Sequence, residues 1–241
     1  MLELAKVQSS GPVIMTITGD AGTGKTSLAA TLPKPLFICT EDGIKSIPFD
    51  VRPPSLPLVE SVKDLWSQLK AVINETHDYE TIVIDSVTQL DTLFTEHIIA
   101  TDDNNPKSLA QAGGGYGAGY SALASLHGRV RKAAQMMKCN VVFVAHADTL
   151  IMDLPDQEPY SKYTIRIHHK SIGHYIDNVD LVGQLMLDMT VKKDKKRAYS
   201  DGSRILRCVA TPSGVTKNRF GISEDIAITQ GENPFINLIG K

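Results

Sequence analysis

Several things are scarce in this chain of 241 residues. It has three cysteines, Cys39, Cys139 and Cys208, and no CxxC pair. Each lies in or beside an apolar run ("LFICT", "KCNVVFV", "ILRCVA"). An odd count in such settings excludes a disulfide framework and predicts buried free thiols in a reducing cytosol. Charge of one sign is also missing: the formal net charge is −2, so any affinity for nucleic acid must rest on local patches. No apolar run approaches the roughly 18 residues of a membrane span. "MLELAKVQSSGP" at the N-terminus lacks a basic segment followed by an apolar one. The chain is therefore expected to be cytoplasmic, neither exported nor in a membrane. No internal repeat or domain boundary is evident, which predicts one domain over 1–241, with its core at about 13–221 and a short C-terminal tail.

What is present is an ordinary globular composition, 42% hydrophobic and 22% charged, in which short apolar runs alternate with helix-like stretches. That pattern predicts an α/β fold, a mainly parallel twisted sheet with helices on both faces. "VIMTITG", "LFICT", "TIVID" and "VVFVA" read as the core strands. Between them, Ser61 and Asp64 have capping-box-like spacing ahead of a helical face of Leu65, Leu69, Val72 and Ile73. A second helix is predicted over 87–100, and Leu123, Leu126, Val130, Ala134 and Met137 recur at helical spacing. A polar loop is expected after Ala145. "DLVGQLMLDMTV" and "RILRCVAT" then read as an antiparallel hairpin around "KKDKKR".

"GDAGTGKTS", from Gly19 to Ser27, fits G-x-x-x-x-G-K-[ST] and lies between a predicted strand and a predicted helix. Gly19, Gly22 and Gly24 let the backbone curl so that N–H groups, those of Asp20, Ala21 and Thr23 included, point at phosphate oxygens. The helix N-terminus adds its partial positive charge. Lys25 is expected to reach the β- and γ-phosphates, and the Thr26 hydroxyl to face Mg²⁺. A second glycine-rich stretch, "GGGYGAGY", places Gly117, Gly119 and Ala122 at a loose dinucleotide spacing. No strand precedes it, so it reads instead as a flexible functional loop over 102–119.

The third strand ends at Asp85, where a carboxylate would hold the water shell of Mg²⁺. Ser86 follows it, so the carboxylate that activates water must come from elsewhere. Glu41, at the end of the second strand, is the candidate, because sites of open α/β sheets assemble at that edge; Asp42 is the fallback and an exposed turn acid the plain alternative. His146 ends the fourth strand, either as a sensor beside the γ-phosphate or as a core histidine.

Together "GDAGTGKTS", the glutamate after the second strand, "IDSV" and the polar residue after the fourth strand resemble the RecA-like ATPase core, and "TKNRFG" resembles the KNRFG element of RadA-type proteins. With "TEDGIKSI", the layout is most similar to phage-encoded RecA-like ATPases of the Sak type, linked to single-strand annealing. The resemblance implies ATP and Mg²⁺ as ligands, a head-to-tail homo-oligomer, single-stranded DNA as partner, and the bacterial host cytoplasm as location; a single-strand-binding protein is a further candidate partner. His146 stands where RecA has glutamine, a departure from RecA-style strand exchange.

By the same resemblance the DNA-facing loops correspond to about 102–120 and 148–170. The second ends in "YSKYTIRIHHK", where Tyr160 and Tyr163 interleave with Lys162, Arg166 and Lys170, as single-strand binding uses rings and cations; an amphipathic strand would look similar. The seven Lys/Arg between Val191 and Arg207 form a second patch or an exposed hairpin tip. Lys217 and Arg219, two apart before Gly221, would form a paired finger reaching a neighbour's ATP, a cis contact, or a basic turn. The expected function is Mg²⁺-dependent ATP hydrolysis coupled to single-stranded DNA. Its rivals are a nucleotide-gated oligomeric switch that never touches DNA and a small-molecule kinase.

Overall fold

A computed structural model of the chain describes residues 11–188, 190–192, 197–199, 202–236 and 238. The N-terminal stretch 1–10 and the lysines of the basic patch at 193, 195 and 196 lie outside the described residues. In chain order the elements are β1 (Ile14–Gly19), α1 (Lys25–Ala29) and β2 (Pro35–Cys39), then 3-10 turns at Asp42–Ser46 and Phe49–Val51. There follow α2 (Val62–Asn74), β3 (Thr81–Asp85), α3 (Val87–Ala100), a 3-10 turn at Ala112–Gly114 and α4 (Ala118–Met136). The second half holds β4 (Asn140–Met152), β5 (Tyr160–Ile165), α5 (His169–Ile176), β6 (Leu181–Leu187), β7 (Thr190–Lys192), β8 (Arg197–Tyr199), β9 (Arg204–Arg207), β10 (Lys217–Asn218) and β11 (Ile226–Ile228).

Five strands, in the order β6-β1-β4-β3-β2, are parallel; β9 and β11 extend the β6 edge antiparallel. Period-2 alternation divides the strands between two apolar layers. Ile82, Ile84, Val141 and Phe143 meet Leu65, Leu69, Phe94, Leu123 and Val130 of α2, α3 and α4. Val83, Val142 and Val144 pack on the other side with Leu28 and Ala29 of α1, Leu206 and Phe235. This is the predicted α/β fold with helices on both faces and an antiparallel C-terminal addition. Ser61 caps α2 as its spacing predicts, its Oγ accepting from the Asp64 N–H at 3.1 Å and donating to Asp64 Oδ2 at 2.6 Å. Cys39, Cys139 and Cys208 are buried free thiols. Burial pushes Cys39 and Cys208 up to about 12, which leaves them unreactive.

Three segments differ from expectation. The fourth strand does not give way to a polar loop at Ala145: it runs on to Met152 and folds back as β5, with Ala147 opposite Ile165 and Met152 opposite Tyr160. This ribbon stands beyond the sheet, where neither face needs to be apolar, so its mixed sequence, with Leu150 and Ile151 exposed, reads as a loop. The stretch from Asp102 to Gly119 is folded against the helices: Leu109 and Ala112 are buried, and Asp102 Oδ2 accepts from the Gly113 N–H at 2.5 Å. Within "TKNRFG", Lys217 and Asn218 form a strand that pairs antiparallel with Val182 and Leu181 of β6. Gly221 beyond it has φ of 72°, the left-handed turn expected there.

Candidate active site

The chain leaves β1 at Gly19 and turns through Asp20, Ala21, Gly22 and Thr23 before α1 starts behind Gly24, whose φ of 92° favours glycine. Thr23 Oγ1 donates to the Asp20 carbonyl at 2.9 Å and braces the turn. Lys25 is buried, its Nζ donating to the carbonyls of Gly19 at 3.0 Å and Asp20 at 2.8 Å. Burial lowers the pKa of this ammonium, while Asp85, Glu41 and Asp20 oppose that shift. Ala21, Gly22 and Gly24 of the loop, with Lys25, Thr26 and Ser27, line a cleft of about 530 Å³ that Glu41, Asp85 and His146 also line.

Thr26 Oγ1 donates to Asp85 Oδ2 at 2.7 Å, joining α1 to the end of β3. The Asp85 position is fixed through its neighbours. Thr40 N–H donates to the Asp85 carbonyl at 2.8 Å, and the Thr40 hydroxyl both accepts from Ser86 N–H and donates to Ser86 C=O. Burial raises the Asp85 pKa, and the Thr26 hydrogen bond acts against that rise. Hydroxyl and carboxylate oxygens are the hard donors Mg²⁺ takes. A Cβ built on Gly43 would stand 3.4 Å from Thr26 Oγ1 and 3.6 Å from Asp85 Oδ2, so the missing side chain leaves room beside the pair. These residues fit the metal.

Glu41 and His146 meet across the end of β3, with His146 Nε2 3.3 Å from Glu41 Oε1. The histidine is set by its register opposite Gly19 and by its N–H, which donates to Thr88 Oγ1 at 2.9 Å. Its Nδ1 is buried and has no partner among the described residues, unlike a satisfied core histidine. The hydrogen bond from His146 holds the Glu41 carboxyl below its usual range against the opposing effect of burial. Asp42, the fallback, turns instead to Lys45 Nζ at 2.6 Å in an exposed pair.

A family profile described as AAA domain matches residues 12–220. The chain belongs to the AAA-domain family. It is thus of the nucleotide-binding P-loop ATPase class, and the loop, Glu41, Asp85 and His146 all fall inside the matched span. No curated protein matches it. Among the described residues no helix is long and apolar enough to cross a membrane.

Other candidate residues of this AAA-domain protein lie elsewhere. Lys217 Nζ donates to the Asp177 carbonyl at 2.6 Å, and Arg219 pairs with Asp180 Oδ1 at 2.9 Å. The strand that carries Lys217 pairs with the start of β6, and Arg219 just beyond it donates its N–H to the Asp180 carbonyl, whereas Gly19 lies against Leu185 near the other end of β6. The two cations therefore sit at the opposite edge of the sheet from the phosphate loop of the same chain. Arg166, grouped with Lys170 in the sequence, is drawn toward the nucleotide edge: it donates to the Ala147 carbonyl at 3.1 Å, and its charge acts on Lys25. Lys170 lies 5.9 Å from the ring centroid of Tyr120, which stacks on His168 at 4.5 Å. The two segments read as DNA-facing thus meet at these side chains. Sequence reasoning missed Arg204, which lines the cleft from β9; its only signal was membership of the basic stretch. It also missed His127, buried between Tyr175 Oη at 2.7 Å and Asp91 Oδ1 at 3.0 Å.

Proposed function

We propose that this AAA-domain protein is a Mg²⁺-dependent ATP hydrolase that assembles head to tail and acts on single-stranded DNA in recombination or annealing, in the manner of phage-encoded RecA-like proteins of the Sak type. The observation that carries the reading is the placement of Glu41, held by His146, in the same cleft as Lys25 and the Thr26–Asp85 pair. Lys25 and the loop N–H groups hold the β- and γ-phosphates. Thr26 and Asp85 hold the metal, which when bound neutralises charge on the phosphate oxygens. Glu41 stays ionised, orients the attacking water and accepts its proton. His146 fixes the Glu41 carboxylate from within β4, whose continuation into the β4–β5 ribbon gives nucleotide state a route to the outer loops.

Support for the DNA arm is the cluster of Tyr120, His168 and Lys170, with Tyr116 fully exposed nearby in sequence. Rings stack on bases and the ammonium meets phosphate. Support for head-to-tail assembly is the location of Lys217 and Arg219 at the sheet edge opposite their own phosphate loop. The test is a gel-shift titration with single- and double-stranded DNA, with and without a slowly hydrolysed ATP analogue, alongside ATPase assays with each DNA. ATP-dependent binding to single strands and stimulated turnover are expected. Hydrolysis without DNA binding at low salt would leave the nucleotide-gated switch as the function.

A further inference from the structure

Arg204 stands on β9, paired through its backbone with Leu187 of β6 on one side and Ile228 of β11 on the other. Leu206, two residues on, shares its face of the strand and is fully buried in the layer that contains Leu28 and Ala29 of α1. The same alternation turns Arg204 toward that layer, one pleat nearer the phosphate loop. A Cβ built on Gly24 would lie 2.4 Å from a guanidinium nitrogen of Arg204 and 3.1 Å from its central carbon, so the guanidinium rests directly on the loop. Neighbouring arginines are committed elsewhere: Arg207 is held by Asp225 and Arg219 by Asp180. Among the described residues no carboxylate pairs with Arg204.

We propose that Arg204 is a second phosphate-binding cation supplied in cis, gripping the α/β-diphosphate of the bound nucleotide from the β9 side of the cleft. This rests on reading the cleft as an ATP site. A planar guanidinium can offer two parallel N–H donors to a phosphate, which suits it to a grip that a point charge makes less well. Its place against Gly24 assigns it to the diphosphate and not to the γ-phosphate. Asp85 is joined to Thr26 and Glu41 to His146, whereas the atoms nearest a Cβ on Gly24 are those of Arg204. Affinity for ADP and ATP should therefore depend on Arg204 alike, and affinity for AMP, which lacks the β-phosphate, should depend on it less.

The test is equilibrium binding of fluorescent ADP, AMP and a slowly hydrolysed ATP analogue to the wild-type chain and to Arg204→Ala, Arg204→Gln and Arg204→Lys, with thermal melts alongside. Loss of charge-assisted hydrogen bonds should weaken ADP and the ATP analogue by about 10- to 100-fold in the Ala and Gln variants. The Lys variant should recover part of that loss, and KM for ATP should rise more than kcat falls. Gln keeps a polar chain of similar reach and Lys keeps the charge, so a gap between them separates phosphate contact from packing. ADP affinity unchanged in both Ala and Gln variants, or a loss confined to the ATP analogue, overturns the proposal. A wild-type chain that binds neither ADP nor the ATP analogue overturns the ATP-site reading itself, and the role of Arg204 with it.

Discussion

His146 Nε2, within β4 where its pairing with β1 ends, and Glu41 Oε1, just past the end of β2, lie 3.3 Å apart across the intervening end of β3, where Asp85 sits. The contact aims one carboxylate into the cleft from a segment whose next residue, Asp42, is paired with Lys45 at its surface. Glu41→Gln should keep ATP binding and lose about 10²- to 10⁴-fold in turnover, because an amide can hold a water but cannot take its proton. Asp42→Asn should change turnover little. Single-turnover hydrolysis and nucleotide binding on the two variants check this, and a trapped ATP state in Asp42→Asn would move the catalytic carboxylate by one residue.

His146→Ala should shift the pH dependence of hydrolysis. The His146 hydrogen bond is the largest cause holding the Glu41 carboxyl below its ordinary range. Removing it lets the Glu41 pKa rise, so protonation sets in at higher pH and the acid limb of kcat/KM moves upward. The stability that ionised Glu41 contributes is present above the ordinary glutamate pKa, about 4.3, and is lost as pH falls through the depressed value. Rate profiles from about pH 4 to about pH 8, with melts at each pH, separate the two effects. An acid limb that does not move would show that Glu41 does not set it.

The four core strands, the phosphate loop and the carboxylates at the sheet edge were legible because each is specified locally. Continuous apolar runs mark buried parallel strands, and the spacing from Gly19 to Thr26 is the loop geometry itself. The β4–β5 ribbon was not legible, since residues such as Asp148, Thr149 and Lys162 pair by backbone alone and leave no apolar period. Nor was Arg204, which reaches Gly24 only because β9 lies next to β6, a relation set by pairing between Leu187 and Arg204 and not by any motif. The separate fates of Arg166 and Lys170 are of the same kind: four residues apart in sequence, they face different sites because a turn lies between β5 and α5.

Lys170→Ala and Tyr120→Ala should each weaken binding to single-stranded DNA, and by different routes. Loss of the lysine removes a phosphate contact, so the salt dependence of binding should flatten by about one counterion. Loss of the ring removes a stacking surface worth about 1–3 kcal/mol per base and leaves the salt slope unchanged. Arg166→Ala should affect ATP turnover more than DNA affinity, because its guanidinium is held at the Ala147 carbonyl, next to His146. Fluorescence anisotropy against salt, run with the slowly hydrolysed analogue, distinguishes the three. Equal salt slopes for Lys170→Ala and wild type would remove Lys170 from the DNA contact.

Two inactive variants should restore each other. Lys217 pairs with Val182 at the start of β6, while the phosphate loop leaves β1 beside Leu185 near the other end, so a cis contact would have to span the sheet. A neighbour stacked head to tail would bring one edge against the other, which is the geometry of a heterologous interface. The Arg219–Asp180 pair is largely exposed on the arginine side, and such pairs contribute about 1 kcal/mol or less, so releasing Arg219 toward a neighbour's γ-phosphate costs little. Lys25→Ala has a broken site and an intact finger; Arg219→Ala has the reverse. Each alone should be nearly inactive, since a cation inserted from outside the loop is worth ~10³–10⁵ in rate. In an equal mixture with free exchange, an interface works only when an Arg219→Ala subunit supplies the site and a Lys25→Ala subunit supplies the finger. That arrangement occurs at about one interface in four, so the mixture should recover about a quarter of wild-type ATPase. A finger acting in cis recovers nothing, because no subunit then carries both parts. Full activity in Arg219→Ala alone, with Lys217→Ala equally harmless, would reduce "TKNRFG" to a turn that closes the sheet edge.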